Sequence, residues 1–274
     1  MQVKAGALLV VIQLALAAFA APAWAADCGD TPDGFKAWLE TFRQVAINDG
    51  ISPQVVDNAF GSVTFDPSVL SHDRGQRGWQ GESNFASFIS AHVTSGRIKR
   101  GKMMMLAFAE PLERIEKRYG VPGAVLVAIW GLETDFGTGL GKYPTFSALA
   151  TLAYDCRRAD LYRSELIDAL MIVQRGLLSP QEMRGAWAGE LGQTQLMPSA
   201  YLKFGVTSAG ERGGDLMSNS ADALASTANF LQQHGWQRQA SWDPGEPNFA
   251  TLLEWNKAEV YARTIAEFAD RLAE

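Results

Sequence analysis

A carboxylic acid stands at the end of a long apolar run, and this placement constrains the fold more than any other feature. The run VLVAIWGL covers residues 125–132 and is followed directly by Glu133. On a helix, the acid would share its face with Leu126, Ile129 and Trp130. A carboxylate among such side chains costs free energy unless it is paired or keeps its proton. The segment therefore predicts a buried helix whose last turn places an acid in apolar surroundings.

Two interpretations of Glu133 follow from its neighbours. The first is structural: a helix-end acid pairs with an arginine or caps a neighbouring element. The second is catalytic: apolar walls raise the pKa of the carboxyl, which then holds a proton near neutral pH and acts as a general acid. Glycines at positions 137, 139 and 141 indicate that the helix ends at once and opens into a loop beside a cleft. Asp135 lies on another helix face, so no local second carboxylate completes a glycosidase pair.

The remaining sequence predicts a mainly helical fold with little β structure. Apolar residues recur at three- and four-residue spacing in several stretches, which is the pattern of amphipathic helices. These stretches are residues 35–46, 112–119, 162–173, 224–231 and 261–272. Alternation typical of strands is scarce, and the best example, residues 236–242, is weak. The irregular stretches expected to form loops on this helical frame are residues 137–145, 178–193, 207–219 and 241–248.

The N-terminal segment has the pattern of a secretory signal peptide. Lys4 is followed by an apolar stretch, residues 5–21, and by the small-residue box Ala23-Trp24-Ala25. We expect residues 1–25 to be removed. The mature chain, residues 26–274, is then an exported periplasmic protein.

A retained membrane anchor is the alternative to cleavage. The apolar run of about 17 residues is interrupted by Gln13 and is shorter than the roughly 20 residues that a membrane span needs. A lipid on Cys28 is disfavoured, because Asp27 occupies a position that requires a small residue. We therefore expect no stable membrane anchor after the signal is removed.

Charge and cysteine content narrow the classes of function. The formal charge is −6. Nucleic-acid binding rests on neutralising phosphates, so a nucleic-acid partner is not expected for an acidic chain without a basic cluster. Cys28 and Cys156 are the two cysteines, and in an exported chain a single pair usually forms a disulfide; two separate thiols are the alternative. The cysteines and histidines lack metal-ligand spacing, so no metal site is expected.

Two further stretches contain residue types suited to a polar ligand. The segment GAWAGELGQTQLMPSAY, residues 185–201, has glycines that permit close approach of the backbone, and Gln195 can hydrogen-bond a neutral ligand. It lacks the lysine-serine pair of a phosphate-binding loop, and a tight helix–helix connector is the alternative interpretation. Arg157 and Arg158 are adjacent; such arginines either lie on the surface as solvated charge or receive carboxylates of a substrate.

Five blocks of the sequence, taken in order, resemble a known family. The blocks are GLETDFG, ALATLAYDCRR, GAWAGELGQTQLMPSAY, ADALASTANFLQQHGW and WNKAEVYA. Together they are similar to the lytic murein transglycosylase B family, glycoside hydrolase family 103, over the chain from about Phe35 to Leu272. The resemblance implies a lysozyme-like helical catalytic core with additional N-terminal helices around a peptidoglycan groove. It implies no cofactor.

The resemblance also assigns roles to individual residues. Glu133 matches the single catalytic acid of the family. The residues that match substrate-contacting positions or fall in the same blocks are Gln195, Asn256, Arg157, Arg158 and Tyr201. Among them, Gln195 matches a groove-lining glutamine, Asn256 an asparagine near the reacting sugar, and the arginines a pair that meets peptide or lactyl groups. For Tyr201 a purely structural role is the alternative.

According to the resemblance, Glu133 acts twice in one reaction. It protonates the glycosidic oxygen between N-acetylmuramic acid and N-acetylglucosamine, and then takes the proton of the muramyl C6 hydroxyl as that oxygen attacks C1. One carboxylate suffices, because the substrate supplies the nucleophile and a 1,6-anhydromuramyl end results. A hydrolytic muramidase and a non-catalytic peptidoglycan-binding protein are the alternatives. Expected partners are peptidoglycan glycan strands and proteins of the cell-wall machinery.

The sequence departs from the family pattern in three places. Ala186 stands where the family often has a serine beside the catalytic acid, so the sequence does not say what orients Glu133. Residues 207–218 correspond to the calcium loop that some members carry, but they have Thr and Ala at its first and third positions, Arg212 where a glycine is wanted and Ser218 in place of the bidentate acid, so we expect no calcium site. Because the sequence stops at Glu274, we expect no C-terminal peptidoglycan-binding module of the kind that many relatives carry. Affinity for the wall is then expected from the groove itself or from a partner.

Overall fold

The computed structural model describes residues 28–75 and 85–274. Within these residues the chain forms thirteen α-helices and one antiparallel pair of two-residue strands. This confirms the prediction of a mainly helical fold with little β structure. The signal-peptide pattern and its cleavage site lie outside the described residues, as does Asp27.

The helices are α1 (Phe35–Asn48), α2 (Pro53–Phe60), α3 (Pro67–Gly75), α4 (Phe85–His92), α5 (Ser95–Ala107), α6 (Ala109–Tyr119), α7 (Gly123–Thr134), α8 (Thr145–Tyr154), α9 (Ala159–Gln174), α10 (Pro198–Phe204), α11 (Ser220–Gln233), α12 (Phe249–Trp255) and α13 (Glu259–Ala273). The strands are β1 (Tyr143–Pro144) and β2 (Arg184–Gly185), in which Tyr143 pairs with Gly185. The amphipathic stretches of the sequence lie on α1, α6, α9, α11 and α13. Residues 236–242 form turns and no strand.

Helix α7 is apolar on every side because it is packed on every side. Helices α5, α6, α11 and α13 contact it, and its residues from Gly123 to Gly131 are buried. A helix without a polar face is stable only in such an interior position. It opens toward solvent at its last turn, where Leu132 and Glu133 are partly exposed. The apolar run therefore forms a buried helix, and the acid that follows it lies in the last turn, where the helix becomes accessible to solvent.

Two clusters of buried side chains form the core. The first joins α1, α2, α3, α8, α9 and α10, and the second joins α6, α7, α11, α12 and α13. The loop between β2 and α10 contributes Ala188, Leu191 and Leu196 to the first cluster. Glu133 lies in the last turn of α7, which belongs to the second cluster. We use the term cleft for the region where the end of α7 faces the 185–195 loop.

A disulfide joins Cys28 to Cys156, with the two Cα atoms 5.1 Å apart. It fastens the first described segment to the end of α8. The same segment is held by hydrogen bonds: the amide of Gly29 donates to the Tyr154 carbonyl at 3.0 Å, and the Tyr154 hydroxyl donates to the Asp33 carbonyl at 2.6 Å. The bond therefore fixes the chain that leads directly into Arg157 and Arg158.

Residues 207–218 are held by carboxylates that accept backbone hydrogen bonds. Asp222 accepts from the amides of Ser208 at 2.7 Å and Asp215 at 3.1 Å, and Asp215 accepts from the amides of Met217 and Ser218 at 2.9 Å each. In residues 28–75 and 85–274, no group of three or more His, Cys, Asp or Glu is arranged to hold a metal ion. The same residues contain no helix with both the length and the apolar character of a membrane span.

Replacing both Cys28 and Cys156 by serine is expected to lower the free energy of unfolding by about 2–4 kcal/mol, because a long loop is no longer closed in the unfolded chain. Urea unfolding monitored by circular dichroism measures the change. The wild-type protein in reducing agent serves as the control and should unfold at the same urea concentration as the double variant. Equal stability of the oxidised wild type and the double variant would contradict the prediction.

Candidate active site

Glu133 is oriented by two hydrogen-bond donors that reach the same carboxylate oxygen. The indole Nε1 of Trp255 donates to Oε1 at 3.0 Å, and the hydroxyl of Tyr261 donates to Oε1 at 2.8 Å. Among the described residues, Oε2 accepts no hydrogen bond and Glu133 forms no ion pair. The structure thus leaves one oxygen of a partly exposed carboxyl without a hydrogen-bond partner among the described residues, and the alternative of an arginine partner is not observed there.

Opposing influences set the proton affinity of Glu133. Burial raises the pKa of the carboxyl to about 7, which outweighs the lowering effect of the hydrogen bonds from Trp255 and Tyr261. The negative charge of Glu190 raises the pKa further. Tyr261 remains a donor, because burial and the charge of Glu133 raise its own pKa well above the ordinary value. Near neutral pH, Glu133 therefore exchanges its proton readily, as a group that acts first as acid and then as base requires.

The chain leaves α7 through a turn that is held by ion pairs. Asp135 and Phe136 have positive φ angles of 52° and 61°, a conformation that costs about 1 kcal/mol or more for such residues. Asp135 accepts from Arg97 at 3.2 Å and also from Arg100, both on α5. The hydrogen bond from Arg100, supported by Arg97, holds the pKa of Asp135 below its ordinary value. Asp135 therefore has a structural role: it holds the turn after α7 against α5.

Gln193 connects α7 to the loop that faces it. Its side-chain Oε1 accepts from Trp130 Nε1 at 3.1 Å and from the Ser220 hydroxyl at 2.9 Å. Its backbone carbonyl accepts from the Thr134 hydroxyl at 2.5 Å. Gln193 is buried, with 5% of its surface exposed, so these bonds are shielded from water and fix the loop against the end of α7. The sequence did not single out this glutamine.

The side chains of Gln195 and Asn256 each have one polar group that is hydrogen-bonded and one that is not. The Gln195 Nε2 donates to the carbonyls of Leu140 at 3.2 Å and Gly192 at 2.7 Å. Asn256 directly follows Trp255, and its Oδ1 accepts from the Ala258 amide at 3.0 Å. Among the described residues, the Gln195 Oε1 and the Asn256 Nδ2 have no hydrogen-bond partner. Both side chains are therefore anchored and still present a polar atom.

Arg157 and Arg158 bind a buried carboxylate on α3. Asp73 is 1% exposed. The Nη2 of Arg157 lies 2.8 Å from the Asp73 Oδ2, and Arg158 pairs with the Asp73 Oδ1. A buried carboxylate needs such partners, so the pair secures α3 against the start of α9. The arginine side chains remain 47% and 35% exposed. The predicted substrate contacts of these arginines stay a prediction.

Tyr201 lies inside the protein and not at the surface of the cleft. It is 1% exposed, and its hydroxyl donates to the Gly214 carbonyl at 2.9 Å. Burial raises the pKa of Tyr201 to about 12. The side chain is fully used in joining α10 to the 207–218 segment, which is the structural role that the sequence left open as the alternative.

Glu190 places a second carboxyl in the cleft. Its Oε2 accepts from the Ala188 amide at 3.1 Å, and the residue is partly exposed. Burial raises the pKa of Glu190, while Arg158 favours its charged form. Because its charge acts on Glu133, the two carboxyls are electrostatic neighbours. The sequence had given no candidate for this acid, since it belongs to a loop far along the chain.

The residues that hold the acid were missed at the sequence level. Trp255 and Tyr261 lie in the block WNKAEVYA, in which the family resemblance assigns a role to Asn256 alone. The available signal was chemical: aromatic residues with a polar handle are suited to donate a hydrogen bond from apolar surroundings. Their position also answers the problem that Ala186 raised. Trp255 and Tyr261 orient Glu133, and no side-chain hydroxyl at position 186 is needed for it.

The sequence profile of the transglycosylase SLT domain matches residues 34–246. The chain belongs to this family, and its resemblance to lytic murein transglycosylase B is confirmed. It is 33% identical over 145 residues to the membrane-bound lytic murein transglycosylase B of Escherichia coli K12. That match covers 53% of this chain and 40% of the relative, so the chain matches less than half the length of this curated protein.

Solved structures of lytic transglycosylases have the same fold. SltB3 of Pseudomonas aeruginosa, solved in complex with NAG-NAM-pentapeptide, superimposes with a TM-score of 0.81 at 27% identity, over 87% of this chain and 79% of SltB3. The soluble lytic transglycosylase SltB1 of the same organism gives a TM-score of 0.77 at 25% identity, over 86% and 98% of the two chains. These similarities confirm the expected lysozyme-like fold.

Replacing Glu133 by glutamine is expected to stabilise the protein at alkaline pH and to leave its stability unchanged near pH 4. The carboxyl has a folded pKa of about 7 against an ordinary value of 4.5. The wild type therefore loses stability as pH rises between these values, and the loss is complete above the folded pKa. At pH 8 the gain for Glu133→Gln should reach up to about 3 kcal/mol.

Urea unfolding at pH 4 and pH 8 measures this difference. The matched control is Glu113→Gln, which removes an exposed carboxyl on α6 and should shift stability equally at the two pH values. A Glu133→Gln variant whose stability differs from wild type by the same amount at both pH values would refute a raised pKa.

Proposed function

We propose that the chain is a lytic transglycosylase of peptidoglycan. It cleaves the β-1,4 bond between N-acetylmuramic acid and N-acetylglucosamine and leaves 1,6-anhydromuramyl ends. The observation that carries this proposal is the carboxyl of Glu133: one oxygen is fixed by Trp255 and Tyr261, the other has no partner among the described residues, and the pKa of the carboxyl is about 7. Family membership and the substrate-like ligand of SltB3 support the same assignment.

In the first half of the reaction, Glu133 is the acid. Its Oε2 carries the proton to the glycosidic oxygen, and the C1–O bond breaks as the N-acetylglucosamine unit departs. The apolar walls of α7 favour the protonated form before transfer. Because Oε1 is held by two donors, the proton is directed from a fixed position, which lowers the entropic cost of transfer.

In the second half, Glu133 is the base. The carboxylate takes the proton of the muramyl C6 hydroxyl, and that oxygen forms a new bond to C1. The donors Trp255 and Tyr261 stabilise the negative charge that Glu133 carries between the two transfers. Glu133 is thereby protonated again, and water is not a reactant in either half of the reaction. One acid therefore serves the whole cycle.

Gln195, Asn256, Arg157 and Arg158 are assigned to the substrate. The open amide atoms of Gln195 and Asn256 are suited to hydroxyl and acetamido groups of the sugars, which are neutral hydrogen-bonding partners. The exposed edges of Arg157 and Arg158 are suited to lactyl or peptide carboxylates. No step of the proposed reaction needs a cofactor or a metal. Proteins of the cell-wall machinery are proposed as further partners.

The proposed site of action is the periplasm, after removal of residues 1–25. Residues 26–274 then form one catalytic unit. A disulfide between Cys28 and Cys156 supports this location, because such bonds persist in oxidising compartments.

A hydrolytic muramidase is the second candidate function, and Glu190 is the observation that favours it. An inverting glycosidase uses one carboxyl as acid and a second as base for water. Glu190 is an electrostatic neighbour of Glu133 in the same cleft. Its products would be reducing ends instead of anhydro ends.

Glu133→Gln is expected to reduce the release of muropeptides from sacculi by at least about a thousandfold, since an amide neither donates nor accepts the catalytic proton. Mass spectrometry of wild-type digests should find muropeptides lighter by one water than hydrolysed ends. Glu113→Gln is the control and should release them at the wild-type rate. Reducing ends in the wild-type digest would establish the muramidase, and sacculus binding without any release would establish a non-catalytic binding protein.

Tyr261→Phe is expected to shift the alkaline limb of the pH–activity curve to higher pH and to lower kcat by about tenfold. The lost hydrogen bond had lowered the pKa of Glu133 and had stabilised its charged form. Initial rates of muropeptide release between pH 5 and pH 9 measure both effects. Tyr119→Phe, a buried tyrosine of α6, is the control and should leave the limb in place. A shift of the limb to lower pH in Tyr261→Phe would contradict the assigned role.

A further inference from the structure

Helix α5 has an outer side that the fold leaves uncovered. Among the described residues, the large hydrophobic side chains that are strongly exposed are Met103, Leu106 and Leu161. Met103 is 53% exposed and Leu106 is 80% exposed, and both lie in the second half of α5. A single exposed hydrophobic side chain is ordinary, but two that adjoin on one helix indicate a surface for another molecule.

Two lysines share this side of the helix. Lys99, Lys102, Met103 and Leu106 follow one another at three- and four-residue spacing, so their side chains project from the same side of α5. Both lysines are exposed, and neither forms an ion pair within residues 28–75 and 85–274. We name these four residues the α5 face. It combines apolar side chains with unpaired positive charge.

The surroundings of the α5 face are poor in acids, although the whole chain has a formal charge of −6. No aspartate or glutamate occurs from residue 93 to residue 109. Arg97 and Arg100, on the same helix, bind Asp135, and the next acid along the chain, Glu110, pairs with Arg114. The two lysines are therefore the charges that α5 presents to solvent. Two lysines are too few for the phosphate contacts of a nucleic-acid site.

The inner side of α5 fixes the direction of the outer one. Gly101 is buried, and a Cβ atom at this position would lie 2.6 Å from the Leu272 side chain and 3.5 Å from the Phe136 ring. The helix packs on α7 and α13, and the hydroxyl of Thr94 caps its start by accepting from the Arg97 amide at 3.2 Å. Because α5 cannot turn on its axis, Met103 and Leu106 stay outside. The face needs little ordering before it binds.

We propose that the α5 face docks on a membrane surface that contains anionic phospholipid. The Met103 and Leu106 side chains would enter the boundary between headgroups and acyl chains. The ammonium groups of Lys99 and Lys102 would meet lipid phosphates, while the lysine stems lie along the apolar layer. This is the behaviour of an amphipathic helix that lies in a membrane interface without crossing it.

The composition of the α5 face favours a membrane over a protein partner. Protein interfaces are enriched in tryptophan, tyrosine and arginine and depleted in lysine. The α5 face has the reverse composition, because its cations are lysines and its apolar side chains are flexible and unbranched or aliphatic. Lipid phosphates require positive charge and no fixed geometry, which a lysine supplies as a compact point charge.

Docking through α5 would orient the candidate active site. Arg97 and Arg100 connect the same helix to Asp135, in the turn that follows Glu133. A membrane in contact with α5 would therefore hold the end of α7 in a defined direction relative to the bilayer. The contact is reversible, because four side chains bind far more weakly than a membrane-spanning helix or a pair of lipid chains. It shares no residue with the carboxyl of Glu133 and its donors, so it does not depend on the proposed reaction.

Co-sedimentation with vesicles tests this proposal. The protein is the chain 26–274, which contains every described residue, so that the apolar stretch 5–21 cannot contribute to binding. One set of vesicles contains equal amounts of phosphatidylglycerol and phosphatidylcholine, and the other set contains phosphatidylcholine alone. We expect the protein to sediment with the anionic vesicles, to do so less at high salt, and to remain in solution with the neutral ones.

Two double variants separate the contributions of charge and apolar contact. Lys99→Gln with Lys102→Gln should lower the partition coefficient on anionic vesicles by about thirtyfold, which corresponds to about fivefold for each lysine. Met103→Gln with Leu106→Gln should lower it by at least about tenfold. The matched control, Lys36→Gln with Lys203→Gln, removes the same charge from exposed positions on α1 and α10 and should leave the partition coefficient within about twofold of wild type.

Several results would overturn the proposal. They are the absence of binding to anionic vesicles, equal binding by wild type and the α5 variants, and loss of binding in the lysine variant alone, which would show adsorption by charge without insertion. Dimers in sedimentation velocity that Met103→Gln with Leu106→Gln dissociates, in a protein that binds no vesicles, would assign the face to a second copy of the chain.

Folding and activity controls keep the test independent of the proposed function. The four side chains are exposed, so circular dichroism should find the variants folded; if a double variant fails to fold, Leu106→Gln alone decides. Release of muropeptides from sacculi, which contain no membrane, should proceed at the wild-type rate in all variants. A wild type that releases none and still binds anionic vesicles through α5 would retain the docking surface and lose the enzyme.

Discussion

The double hydrogen bond to one oxygen of Glu133 is the interaction on which the rest of the structure depends. Trp255 and Tyr261 approach from α12 and α13, while the acid itself is carried by α7. The three elements must therefore be packed to within hydrogen-bond tolerance of one another. The wholly buried α7 provides that rigidity, because a helix enclosed on every side has no freedom to rotate or slide. The apolar run thus has two effects: it holds Glu133 in a fixed position, and it provides the low-dielectric surroundings that raise the pKa of the carboxyl.

Burial and hydrogen bonding act against each other at this carboxyl, and their balance defines its chemistry. Burial alone would keep Glu133 protonated at neutral pH, and the two hydrogen-bond donors alone would keep it ionised. With both present the pKa is about 7, so neither protonation state is strongly disfavoured at neutral pH. A group that must give up a proton and recover it within one turnover benefits from that equality. The negative charge of Glu190 raises the pKa of Glu133 further.

Several polar side chains that look functional in the sequence hold the frame around the acid. Asp135 is bound by two arginines of α5 and stabilises a strained turn. The buried Asp73 is neutralised by Arg157 and Arg158, which secures α3 and with it His72. A charge in a protein interior must be paired, and each pair here also positions a loop or helix that borders the cleft.

The sequence alone determined the helical class of the fold, because three- and four-residue spacing of apolar side chains is a local signal. It also identified Glu133, because an acid after an unbroken apolar run conflicts with its surroundings wherever the chain folds. Only the tertiary structure decided what surrounds this acid. Trp255, Tyr261 and Glu190 come from distant parts of the chain, and spacing specifies which face a residue occupies but never which partner meets it. Long-range packing decides which residues meet, and here it supplies two hydrogen-bond donors to a carboxyl whose burial costs free energy.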